Sequence, residues 1–278
     1  MNERLCIKEL MMTRLIILVS MLQLSTAVAD QESERVAGLV KFPTESGGII
    51  QLPVRFHIVN DVEMVKKGVT MKMWLTPKDV EQSILPEINK IWLPAGIQWA
   101  AESILIEGPG PIPDKEKTLR YMAEANRETP DRTKRILSLL NQEKRHPVIN
   151  NLYFVPFVGA TSQGFALFGG GSAVEDNPDG GSRCVVGVWT DKPSGGMRPP
   201  QRFPLNEGMP FKIGSLARTC SHELGHNLLL QHPDKSTQAE FNRLMGGRRQ
   251  GYDLTAEEIS LARRVASGRA KTILKWAK

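Results

Sequence analysis

The sequence predicts a single mixed α/β domain, and three observations carry that expectation. Apolar runs of strand length, rich in β-branched and aromatic residues, occur at 52–59, 97–106, 151–158 and 183–189. Helical patterns occupy 76–92 and 216–230 and follow Thr255. Strands and helices alternate along the chain, the order that yields a sheet covered by helices. The 278 residues are enough to bury a sizeable core. No internal repeat is present, and hydrophobic (41%) and charged (24%) content match ordinary globular usage rather than disorder.

The N-terminus reads as an export signal. Arg14 gives a positive flank, Leu15 to Leu24 form a ten-residue apolar core, and Ala27-Val28-Ala29 provide small residues before a cleavage point. Residues 1–29 are therefore expected to be removed and the product secreted or exported, to the extracellular space or periplasm. The apolar run is too short to span a bilayer, so no stable membrane insertion is expected. Residues 30–50, polar and then Gly-rich, read as a linker or short propeptide, leaving 51–278 as the folded domain.

Leu52 to Val59 is the first strand, and its His57 reads as an ordinary strand residue. The helix over 76–92 has Thr76 as cap, Pro77 in the first position and Asp79 to complete a capping box. Leu75 and Val80 have the spacing of a hydrophobic staple, and Val80, Ile84, Ile88 and Ile91 share one face. Pro86 should kink this helix. Ile97 to Ile106 is the next strand, residues 114–142 look helical with a break near Thr129-Pro130, and Asn151 to Val158 and Arg183 to Trp189 are strands. Gly164 to Gly171, short and ending in glycines, suits an edge strand. Residues 191–212 read as a loop. Thr255 with Glu258 forms a second capping box, and Leu254 with Ile259 a second staple, at the start of a terminal helix.

Charge excludes little. The formal net charge is +6, and loss of residues 1–29 removes three basic and two acidic groups, leaving +5. Arg263, Arg264, Arg269, Lys271, Lys275 and Lys278 cluster at the C-terminus. Such a cluster reads as a solvated helix face, and no nucleic-acid partner is expected. A basic surface- or nucleic-acid-binding protein would show strong salt dependence. Cys184 and Cys220 survive signal removal; they could pair in an oxidising compartment, or remain ordinary buried thiols.

The chemistry lies in Cys220 to His232, CSHELGHNLLLQH. On a helix, residues four apart lie about 40° apart in angle and about 6 Å apart along the axis, so His222 and His226 can reach one ion. Leu216, Cys220, Leu224 and Leu228 form the opposite, core-facing stripe. Glu223 stands beside the ligands, where a base must be to take a proton from a metal-bound water. His232 would lie about 15 Å from His222 on a continued helix, so the chain must turn back soon after His226. Pro233 permits this. Three neutral imidazoles leave a fourth zinc position open, as a catalytic site needs.

This pattern resembles the metzincin clan of zinc peptidases, whose signature is HExxHxxGxxH followed by a Met-containing turn. Met245, within Asn242-Arg243-Leu244-Met245-Gly246-Gly247, fits that turn, and Leu254-Thr255 with its helix resembles the end of such domains. Asn89-Lys90-Ile91-Trp92 and Ala95-Gly96-Ile97 resemble their first helix and second strand more loosely. The resemblance implies an α/β (α+β) metzincin-like fold: a twisted, mostly parallel sheet of about five strands with an antiparallel edge strand, an active-site helix, and a small C-terminal subdomain ending in a helix. An upper part over 51–232 and a lower part over 233–278 follow from it.

The implied activity is zinc-dependent endopeptidase hydrolysis of peptides or proteins, by a monomer. His222, His226 and His232 would hold one Zn²⁺, Glu223 would act as general base, and Met245 would floor the site. Substrate would lie along an edge strand at Phe165, Ala166, Leu167 and Phe168. The acidic stretch Glu175 to Gly180 could offer oxygens to Ca²⁺, but such stretches are more often plain turns.

Two departures stand out. Leu229 occupies the family's Gly position, where the turn favours a left-handed residue and Leu costs about 1–2 kcal/mol. Gly247 occupies the place of the Tyr that some members use as an extra metal contact, so no Tyr ligand is expected. The latency cysteine of matrix metalloproteases is also missing, since no Cys lies between residues 30 and 183. The rival reading is a catalytically weak or inert secreted zinc-binding protein on the same scaffold.

Overall fold

The structure, a computed structural model, describes residues 45–46, 48–108, 143–158, 164–167, 183–190, 199–206, 215–233, 242–246 and 251–276. Every described residue belongs to one compact unit, Val40–Lys278. The expected signal segment, the 114–142 helices and the acidic stretch at 175–180 lie outside the described residues.

The architecture is mixed α/β, with a parallel four-stranded sheet and a C-terminal helix. Strands β2 (Ile49–Val59), β5 (Ile97–Glu107), β6 (Asn150–Val155) and β8 (Arg183–Gly187) lie side by side in the order β5, β2, β6, β8, all parallel. β7 (Gly164–Leu167) adds antiparallel to β8 at the edge, and β1 (Glu45–Ser46) folds back on the start of β2. Two short ribbons stand apart from the sheet: β3 (Glu63–Lys66) with β4 (Val69–Lys72), and β9 (Trp189–Thr190) with β10 (Gln201–Arg202). The second ribbon puts a short strand where the sequence suggests only loop.

The sheet has two unlike faces because side chains alternate along each strand. On one face Ile50, Leu52, Val54, Phe56 and Ile58 of β2, Leu152 and Phe154 of β6, and Cys184 and Val186 of β8 join the main apolar core. The other face carries buried polar groups, with His57 at their centre. Its Nδ1 lies 3.1 Å from Glu107 Oε1 and its Nε2 3.2 Å from Asn151 Oδ1, while its ring stacks on Tyr153 at 4.0 Å. Asn151 turns its amide nitrogen to the carbonyls of His146 and Ile149, so its oxygen must accept and His57 Nε2 must donate. His57 is thus a hydrogen-bonded strand residue, as expected from the sequence.

Three helical elements supply the apolar face's cover. The first runs from α1 (Pro77–Asp79) through a π-helical stretch (Val80–Ile84) to α2 (Leu85–Trp92) and ends in a 3-10 turn, Leu93–Ala95. Thr76 and Asp79 form the expected capping box, each accepting from the other's backbone N–H. Pro86 acts here through local widening. A proline has no N–H to donate and crowds the carbonyl four residues back. The preceding turn opens to π geometry, with Leu85 N–H reaching Val80 O. Val80, Ile84, Ile88 and Ile91 are all buried.

α3 (Leu216–Asn227) lies against α2, β7 and β8. α4 (Ala256–Trp276) sends Ala262 and Ala266 into the same core and carries the second capping box, Thr255 with Glu258. Two of its arginines face inward. Arg263 donates to Gly48 O, Ala95 O and Gly96 O. Arg269, 9% exposed, donates to Asn150 Oδ1 and Asn227 O, and burial lowers its pKa to about 10. Among the described residues, no helix is long and apolar enough to cross a membrane.

Candidate metal centre

The site is built on α3. Ser215 caps it, its hydroxyl accepting from Arg218 N–H. Leu216, Cys220, Leu224 and Leu228 are fully buried, as their spacing predicts. The helix ends at Asn227, three residues earlier than the apolar pattern suggests, because the backbone reverses in a Schellman turn. Leu229 N–H bonds to His226 O at 2.9 Å and Leu230 N–H to Gly225 O at 3.0 Å. Leu229 takes φ +65°, the left-handed conformation that the family pattern gives to Gly. The reversal brings His232 back to its two predecessors.

The three imidazoles converge on one point. His222 Nε2 lies 3.1 Å from His226 Nε2 and 3.0 Å from His232 Nε2, and His226 Nε2 lies 3.1 Å from His232 Nε2. His222 is nearly buried, at 9% exposure, whereas His232 is exposed. Hydrogen bonds fix the protons of the two helical ligands. His222 Nδ1 meets Leu244 O and His226 Nδ1 meets Leu230 O, both at 2.8 Å. A carbonyl only accepts, so each Nδ1 carries the proton and each Nε2 presents a bare lone pair. Burial, with Arg218 beside it, holds the His222 pKa well below the usual histidine range. Burial likewise lowers that of His226.

This donor set fits a divalent metal ion. Two bare lone pairs about 3 Å apart repel unless a cation lies between them, and one proton on His232 could serve only one of them well. Nitrogens about 2.0–2.1 Å from a tetrahedral ion would lie roughly 3.3 Å apart, within a few tenths of an ångström of this triangle. Among the described residues, His222, His226 and His232 form the one cluster of metal-binding side chains.

The surroundings complete the centre. Met245 is fully buried below α3, and a Cβ on Gly225 would come 2.7 Å from its Sδ. Its neighbour Leu244 supplies the carbonyl for His222. Glu223 is 5% exposed, and its charge, after burial itself, helps to raise the Cys184 and Cys220 thiols well above the usual range. Both cysteines are buried and free, so the alternative of a disulfide is not realised. Asn227 Nδ2 donates to Cys184 Sγ at 2.8 Å. Phe165, Ala166 and Leu167 lie on β7, beside α3 at the sheet edge, while Phe168 falls outside the described residues. Gly247 also lies outside them, and Tyr252 packs against the apolar core.

Sequence reasoning missed Arg218, the most heavily engaged side chain near the site. Its Nε donates to Gly251 O at 2.7 Å, and its Nη2 to Leu244 O at 2.9 Å, Gly246 O at 3.2 Å and Arg243 O at 3.3 Å. A lone Arg among apolar helix positions is the only signal in the sequence.

The sheet, the helix and the nitrogen triangle define a mixed α/β protein with a histidine cluster able to hold a metal ion. No protein-family model matches the chain, and no curated protein matches it. Among solved structures it is similar to one described as "Structure of a chaperone-substrate complex". The two are 10% identical with a TM-score of 0.38, and the match covers 80% of this chain and 34% of that one. The chain thus spans about a third of that neighbour's length. A likeness this loose does not define a shared fold.

Proposed function

We propose that the chain is a secreted zinc endopeptidase of the metzincin kind. The observation that carries this reading is the reversal at Leu229, which closes three histidine nitrogens into one triangle above Met245. A zinc-binding helix needs only two histidines at this spacing. A third from beyond a left-handed turn, with a methionine turn below, is the arrangement that the sequence pattern anticipates.

His222, His226 and His232 would hold the ion. Zinc so bound would supply a Lewis acid and a water acidified to a pKa of about 7. The protein's own share is positioning and proton transfer. Leu244 O and Leu230 O fix two of the rings in the tautomer that leaves Nε2 unprotonated. Glu223, next to His222 in sequence and shielded from solvent, would serve as the base for that water and then as the proton donor to the leaving amine. β7 offers the peptide an edge. It pairs with β8 on one side, and among the described residues no strand pairs with the other. An extended substrate can add there as a further strand.

The test is digestion of a random peptide library by the wild-type chain and by Glu223→Gln. The variant should keep its zinc and lose nearly all hydrolysis. Wild-type turnover in the variant would remove Glu223 from the mechanism. A zinc-loaded wild type inert across the whole library would favour the non-catalytic zinc-binding protein.

A further inference from the structure

We propose that Arg218 is a positioning residue for the metal centre, acting on His222 through the carbonyl of Leu244. The inference rests on the metal-site reading above and concerns what sets the orientation of one ligand.

The geometry is a short relay. Leu244 O accepts two donors, Arg218 Nη2 at 2.9 Å and His222 Nδ1 at 2.8 Å. A carbonyl oxygen has two lone pairs, so both bonds can be made at full strength and each fixes the direction of the other. Arg218 and His222 are four apart on α3 and share one face of it. The helix that carries the ligand therefore also carries the clamp for that ligand's acceptor. Arg218 is 2% exposed, which leaves its guanidinium little freedom to wander.

The clamp reaches further than one carbonyl. Arg243 O, Leu244 O and Gly246 O bracket Met245, and Gly251 O lies on the segment 251–253. That segment runs alongside the turn through an isolated parallel bridge between Arg243 and Asp253: Leu244 N–H bonds to Asp253 O and Asp253 N–H to Asn242 O, both at 2.8 Å. One rigid fork thus ties both arms of the methionine turn to the ligand helix. Its fixed donor geometry suits this role in a way a lysine ammonium does not.

Loss of an outer partner of a metal ligand typically weakens metal binding about 10–100-fold. Arg218 stands one step further out, so Arg218→Met should weaken zinc binding by about 10-fold. The measurement is zinc affinity by chelator competition on folded protein, together with ring ¹⁵N NMR of His222 in the metal-free state. Wild type should show Nδ1 protonated and Nε2 bare. Arg218→Met should show mixed protonation of the two nitrogens alongside its weaker zinc binding. Ile273→Ala, a cavity in α4 away from the site, is the control for general destabilisation. It should lower the melting temperature and leave both readouts unchanged.

A folded Arg218→Met that binds zinc as wild type does, with an unchanged His222 signal, overturns the proposal and leaves the metal site standing. Should Arg218→Met fail to fold, Arg218→Lys is the deciding variant. It keeps the charge but cannot reproduce the fork, so it should still lose affinity, and wild-type affinity in it overturns the proposal equally. Absence of zinc binding in the wild type would be a different failure, that of the metal-site reading itself.

Discussion

His226 and Leu230 hold one another across the end of the helix that carries the histidine cluster. The ring's Nδ1–H donates to Leu230 O at 2.8 Å, and Leu230 N–H returns to Gly225 O at 3.0 Å. His226 and the chain reversal are therefore one unit, and its pivot is Leu229 at φ +65°. A leucine there carries about 1–2 kcal/mol of backbone strain. Glycine would shed that strain while restoring about 0.5–1 kcal/mol of unfolded-chain entropy. A β-branched residue tolerates positive φ still less well. Urea denaturation should rank Leu229→Gly at or slightly above wild type and Leu229→Val clearly below it. Equal stability of Leu229→Val and wild type would mean that the left-handed turn is not formed in solution.

Close approach dictates two glycines. At Gly225 a Cβ would meet Met245 Sδ at 2.7 Å and Trp92 Cζ2 at 3.5 Å. Ala gains up to about 1 kcal/mol in helix propensity over Gly, but overpacking a full core costs about 1–3 kcal/mol. Gly225→Ala should therefore be destabilised in thermal unfolding, and the same change should cost less when made in a Met245→Ala background, as a double-mutant cycle would show. At Gly251 the obstacle is the backbone of Asn242, into which an added Cβ would run, and nothing flexible can yield. Gly251→Ala should lose far more stability than Gly225→Ala, and the reverse order would contradict the packing described.

His146 predicts an acid-sensitive contribution to stability. Burial, then the charge of Arg55, holds its pKa below the ordinary value, with Glu102 opposing. Its Nδ1 accepts from the N–H groups of Val148 and Ile149, both at 3.2 Å, and a proton there would break both bonds. The unfolded chain takes up that proton near pH 6.5, where the folded chain resists it. The contribution is thus complete above that pH and is lost as pH falls through 6.5 toward the lower folded value. His146→Asn keeps an acceptor and removes the titration. Its urea midpoint should fall less than that of wild type between pH 7.5 and 5.5, and parallel falls would remove His146 as a source of acid sensitivity.

Local signals made much of this molecule legible. The capping boxes at Thr76 and Thr255 and the stripe Leu216, Cys220, Leu224, Leu228 are set by neighbours within a few turns, and all stand as read. The parallel strands lie within a few residues of their expected limits because each is marked by a local apolar run; β2, β6 and β8 are largely buried, while β5 leaves Gln98 and Ile106 exposed. The turn at Leu229 followed from a distance argument, since His232 could reach the other ligands in no other way. The signals that failed to show were non-local. Arg218 finds its carbonyls 25 to 33 residues away, and His57 finds Glu107 and Asn151 50 and 94 residues away. Nothing beside either residue announces those partners. The widening before Pro86 was half legible: the defect was foreseeable, but its form as a π turn depends on the packing of Val80 and Ile84 into the core.

Direct measurement of zinc content tests the central claim that three histidines share one metal ion. The chain should be loaded with zinc, dialysed, and assayed by elemental analysis beside His226→Ala and His232→Ala. Wild type should hold about one zinc per chain, and each variant little or none, since two imidazoles remain where an open catalytic site needs three protein ligands. Zinc at full stoichiometry in His226→Ala, or none on the wild-type chain, would contradict the assignment.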